Sequence, residues 1–131
     1  ILESIFESTV AKNQTIILNN FSIIFTKNSY EELQSYYKSD LSVEMVTCLK
    51  GKYNKDYIID EIYQPEIIEQ TFNQVIFKPC SDDTLILLHS QPYRRCIASQ
   101  QDLKTLENIK ERNPESLMVI MCEPNRFSVY R

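Results

Sequence analysis

The chain has 131 residues, a formal charge of −4 and a hydrophobic share of 43%; that length is ordinary for one domain with a core of its own. No apolar run approaches the ~20 residues of a membrane-spanning helix, and the acidic balance excludes the basic footprint of a nucleic-acid binder. The single glycine, Gly51, excludes a Rossmann fingerprint and a P-loop, and the single histidine, His89, excludes a two-histidine zinc site within one chain.

In chain order, Ile1, Leu2, Ile5, Phe6 and Val10 fall at helical spacing, which predicts a short amphipathic helix over residues 1–12. Residues 1–14 lack the basic start of a signal peptide and are broken by acids, so a cytoplasmic location is expected. "TIILNNFSIIFT" reads as a strand pair around Asn19 and Asn20. Ser29 and Glu32 form an S-x-x-E capping box, predicting a helix that carries Leu33, Tyr36 and Tyr37 and fades near Lys38. Strands are expected over 43–53, in "DYIIDEIYQP" up to Pro65, and in "FNQVIFKPC". "TLILLHS" is a continuous apolar run of the kind buried on both faces. Ser99 caps a second helix with Leu103, Leu106 and Ile109 on one side, ended by Pro114 after Asn113. "SLMVIMCE" is another buried strand, and "RFSVYR" alternates and is expected at a sheet edge. The order predicts an α/β or α+β fold, a mixed sheet flanked by helices.

Cys48, Cys80, Cys96 and Cys122 contain no C-x-x-C pair, which argues against a zinc ribbon. Free buried thiols are the expectation, with one or two disulfides the alternative.

The chemistry concentrates in "LLHSQPYRRCIASQQDL". Side chains two apart on a strand face the same way, so His89 and Gln91 project together from the strand's end. Asp102 lies in the first turn of the next helix, where a carboxylate suits the helix dipole. A strand end and the following helix start can converge, bringing an imidazole and a carboxylate together. A catalytic zinc takes three protein ligands and leaves one position open for water. Arg94 and Arg95 lie between the motif halves, where a solvated loop or a partner contact is expected.

"H-S-Q-P", six residues and "S-x-x-D" resemble the signature of the JAMM (MPN domain) family, whose pattern is H-[S/T]-H-P-x6-S-x-x-D. These are zinc-dependent isopeptidases that remove ubiquitin or ubiquitin-like modifiers. "EMVTCLKG", Glu44 through Gly51, is similar to the family's E-x-x-G-L-L-x-G, with Thr47 replacing the inner glycine. The family places that glutamate near the end of its first long helix. The resemblance covers residues 21–131 and leaves 1–20 as an extension. It implies the JAMM/MPN (cytidine-deaminase-like) architecture, Glu44 as general base, His89 and Asp102 as zinc ligands, and Ser99 as oxyanion stabiliser. It also implies modifier conjugates, or a second MPN subunit or scaffold, as partners. Gln91 stands where the family has its second ligand histidine, as it does in the MPN-like domain of the central spliceosomal scaffold protein, an interaction module. An amide oxygen is a poor zinc ligand, so weak or absent metal and impaired activity are expected.

Overall fold

The computed structural model describes residues 6–39, 43–71, 75–91 and 96–131. Among these described residues, ten strands and two helices follow in the order β1 (Phe6–Val10), β2 (Thr15–Ile17), β3 (Ser22–Phe25), α1 (Lys27–Ser39), β4 (Val46–Asn54), β5 (Asp56–Tyr63), β6 (Ile67–Gln70), β7 (Val75–Phe77), β8 (Ile86–Ser90), α2 (Gln100–Arg112), β9 (Leu117–Glu123) and β10 (Arg126–Tyr130). Eight strands form one mixed sheet in the order β1-β10-β9-β8-β4-β5-β3-β2, and β6 and β7 form a separate hairpin. The α+β class expected from the sequence is therefore present, dominated by sheet.

Period-two alternation splits the sheet into two faces. Ile86, Leu88, Val119, Met121, Phe127 and Val129 point to one face and build the larger core. Helix α1 closes that face through the fully buried Leu33. Leu87, Met118, Ile120 and Val46 point to the other, where α2 packs with Leu106. Every residue of β8 is buried, as an interior strand covered on both faces requires.

Residues 6–10 are a strand, not part of the expected amphipathic helix; residues 1–5 lie outside the described ones. The β1 backbone pairs antiparallel with β10, Phe6 opposite Tyr130 through Val10 opposite Arg126. Ladder bonds and the β-branched Thr9 and Val10 override the weak helical spacing. This also corrects the expected edge position of β10, which β1 covers. Lys12 and Thr15 exchange backbone hydrogen bonds of 2.9 and 3.0 Å around Asn13 and Gln14, both at positive φ. That is the backbone of a tight hairpin turn, and asparagine tolerates it better than most residues. The turn carries the chain from one edge of the sheet to the other, so the edges approach at this corner.

The first helix starts two residues before the expected cap. Thr26 serves as the cap: its Oγ1 accepts from the Ser29 amide at 3.2 Å. Ser29 is instead buried, its hydroxyl within 2.9 Å of the Ile59 carbonyl oxygen. The strand expected over 43–53 begins at Val46, and a four-residue strand before the hairpin turn, β6, escaped the sequence pattern. Gly51 sits at a register shift between β4 and β5. A Cβ there would run into the Ile58 carbonyl, so close backbone approach alone requires this glycine.

All four cysteines are paired, Cys48 with Cys80 and Cys96 with Cys122, which overturns the expectation of free thiols. The separations of 32 and 26 residues hid both pairs; connectivity is not readable from spacing.

Candidate functional site

His89 lies near the end of β8, opposite Val46 on antiparallel β4 and beside Ile120 on parallel β9. The strand is interior, not at the sheet edge. His89 is two residues past Leu87 and so belongs to the α2 face. Glu44 is two residues before Val46 and reaches the same face. It is buried and lies ahead of β4, outside α1, not at the helix end that the family pattern implies.

Glu44 is fixed by its peptide neighbours. Its amide donates to the Thr71 carbonyl at 2.7 Å, and its own carbonyl accepts from the Gln70 side-chain amide at 2.7 Å. Met45 is held from the other side. Its amide donates to Ser90 Oγ at 2.8 Å, and its carbonyl accepts from the Ser90 amide at 2.9 Å. Sequence reasoning missed Gln70, Thr71 and Ser90. Ser90 was hidden inside the histidine motif, and nothing in the chain pattern marks Gln70.

Asp102 is set by the start of α2. Ser99 Oγ accepts from the Asp102 amide at 3.1 Å, and Asp102 Oδ2 accepts from the Ser99 amide at 2.9 Å. This capping box satisfies two helix-end donors and turns the other carboxylate oxygen to the histidine. The loop before it is held by the Ala98 amide donating to Tyr130 Oη at 2.8 Å and by Ser128 Oγ donating to the Cys96 carbonyl at 2.7 Å.

The structure thus brings Glu44, His89 and Asp102 together. Glu44 Oε1 is 3.0 Å from His89 Nδ1, and Asp102 Oδ1 is 3.0 Å from Nε2. Nδ1 also lies 3.0 Å from the Ser90 carbonyl oxygen. Nε2 is buried and makes no aligned hydrogen bond despite its short distance to Asp102, so that contact is ionic. Burial would lower the pKa of the imidazole. The contacts with Asp102 and then Glu44 outweigh it and push it up to about 10. Burial would raise the Asp102 carboxyl, but His89 and the Ser99 amide hold it below the ordinary carboxylate range. At neutral pH the imidazole is therefore protonated between its two acidic neighbours.

The cluster floors a cleft of about 660 Å³ that Gln91 and Ser99 also line. Thr105, Asn108 and Arg112 line it from α2; Val75, Phe77 and Cys80 line it from the hairpin side. Leu87 and Met118 supply apolar floor. Arg94 and Arg95 lie outside the described residues.

The donors fall short of a zinc site. His89 Nε2, without an aligned hydrogen bond, and Asp102 Oδ1 are a suitable pair. Gln91, at the third ligand position that the resemblance implies, has its amide nitrogen donating to the Ile97 carbonyl at 3.0 Å. Among the described residues no group of three histidine, cysteine, aspartate or glutamate side chains surrounds a common point. Metal would also have to displace the proton that this ion cluster favours. Set against known proteins, the chain matches no protein-family model and no curated sequence. Among the described residues, no helix is long and apolar enough to cross a membrane.

Proposed function

We propose that this chain is a JAMM/MPN-type domain whose cleft over His89 receives the isopeptide-linked tail of a ubiquitin-like modifier, with hydrolysis impaired at position 91. One observation carries the reading. Glu44, His89 and Asp102 come from three separate segments, yet meet within 3.0 Å contacts on the floor of the cleft. The resemblance in sequence requires that meeting, and an ordinary strand-end histidine does not.

The chain's own groups have definite capacities. Glu44 Oε1, against an imidazole nitrogen, is placed to take or return a proton. Ser99 lines the cleft and accepts a hydrogen bond from the Asp102 amide, and its own O–H proton remains to be donated to a developing oxyanion. In this family zinc supplies the activated water. Here its donor set is one ligand short, so binding is the intact half of the proposal and hydrolysis the impaired half.

A second reading follows from the same shortfall: a non-catalytic MPN module that docks a sister MPN subunit or a scaffold. Restoring the missing donor separates the two. Gln91→His is expected to raise zinc affinity by at least about 10–100-fold, on the scale of ligand-shell changes. It should also create cleavage of a modifier fusion protein, with metal content read by mass spectrometry after purification without chelator. A Gln91→His protein that folds, takes up no zinc and cleaves nothing would leave the docking module as the function.

A further inference from the structure

Among the described residues, the hairpin of β6 and β7 shares no ladder with the eight-stranded sheet. A two-stranded hairpin alone is marginal in water, so its ties to the body decide whether it stays in place. Ile67, Val75 and Phe77 pack partly buried against the smaller core. Two hydrogen bonds from its end, through Gln70 and Thr71, both fall on the Glu44 peptide. A further tie is covalent. Cys80, three residues past β7, is bonded to Cys48, which is wholly buried in the middle of the sheet. The hairpin is also a wall of the cleft. The same segment therefore shapes the cleft, holds Glu44 and is bonded to the middle of the sheet by a disulfide.

We infer that Cys48–Cys80 is a thiol–disulfide exchange site that latches the cleft wall, with a dithiol reductant as its reaction partner. The two sulfurs differ in access. Cys80 is half-buried and lines the cleft, whereas Cys48 has no exposed surface. A reductant thiolate attacks the Cys80 sulfur and forms a mixed disulfide. The electron pair of the broken bond leaves on Cys48 Sγ, which takes a proton from water. The reductant's second thiol then attacks its own sulfur in the mixed disulfide and releases Cys80. Two electrons and two protons pass to the protein, and the reductant leaves as its disulfide. A reducing cytoplasm and an oxidising compartment would thus hold the cleft in different states. The inference is independent of whether the cleft hydrolyses anything.

The test uses the full chain, equilibrated in oxidised glutathione and then treated with dithiothreitol. Alkylation without reduction, followed by peptide mapping, should return the 48–80 cross-linked peptide before treatment and two alkylated cysteines after it. Amide hydrogen exchange should rise roughly tenfold or more on reduction at Glu44 and Lys78, while Phe127 and Val129 stay protected. The Cys96→Ala/Cys122→Ala double variant retains the first disulfide alone and should show the same response. Cys80→Ser should exchange fast at Glu44 and Lys78 with or without reductant. If Cys80→Ser fails to fold, the double variant and the wild-type chain carry the test. Free thiols at both positions after equilibration in oxidised glutathione, unchanged exchange at Glu44 on reduction, or a response lost in the double variant would each overturn the inference.

Discussion

The two faces of the sheet are built on different rules. The face under α1 is apolar and continuous, and its residues, from Ile16 and Phe25 to Phe127 and Val129, are almost fully buried. The face under α2 has a smaller core, interrupted by a protonated imidazole between two acids and opened by a cleft. Neighbouring positions on one strand, Leu88 and His89, belong to opposite regimes. The lesson is a division of labour: one face supplies stability so that the other can carry groups that are costly to bury. The sharpest way to break this contrast is to damage the first face. Phe127→Ala removes a fully buried ring and should cost about 3–5 kcal/mol in urea denaturation. A loss under 1 kcal/mol would mean that the α1 face is not the stabilising one.

The next largest effect lies on the second face. His89→Gln keeps the volume roughly constant and removes the cation between Glu44 and Asp102. A cost of about 2–3 kcal/mol near pH 6 is expected, the scale of breaking a buried charged contact. The pH profile carries its own sign. The raised pKa of His89 makes its contribution complete below the unfolded value near 6.5, fading as pH climbs toward about 10. The lowered pKa of Asp102 makes its contribution complete above the unfolded value near 3.8 and lost as pH falls through the folded one. The stability gap between wild type and His89→Gln should therefore be widest between these limits and narrow on both sides. Thermal melts from pH 3 to 10 check it, and a gap that widens above pH 8 would mean that the imidazole is neutral in the folded protein.

How much of this contrast was visible in the chain follows from the range of each interaction. The apolar runs of β8 and β9, the turn-rich breaks and the Ser99 cap are local patterns, and each stands where the sequence placed it. His89 with Asp102 was legible because a strand end and the next helix start are near in sequence, 13 residues apart. Glu44 was legible by resemblance to a motif, although its setting before β4 was not. The pairing of β1 with β10 joins the two ends of the described chain, and no window of neighbouring residues carries that information. The same holds for Cys48 with Cys80, and for Gln70 with the backbone of Glu44. These contacts are chosen by which segments the completed sheet brings together, so local periodicity misread residues 6–10 as helix and missed β6.

The smallest effect isolates one boundary between the two regimes, the start of α2. Ser99 caps the helix and also lines the cleft, so the helix end and the cleft wall share one hydroxyl. Ser99→Ala removes the acceptor of the Asp102 amide while leaving the return bond from the Ser99 amide to Asp102 Oδ2. One capping bond of the two is lost, and a cost of about 1 kcal/mol is expected. Ser99→Thr keeps an oxygen at the same distance from the backbone and should restore most of that stability. If both variants lose the same amount, bulk or a cleft contact at position 99 matters more than the cap. If Ser99→Ala costs nothing, the reciprocal bond alone fixes Asp102 against His89, and the hydroxyl adds nothing to the start of α2.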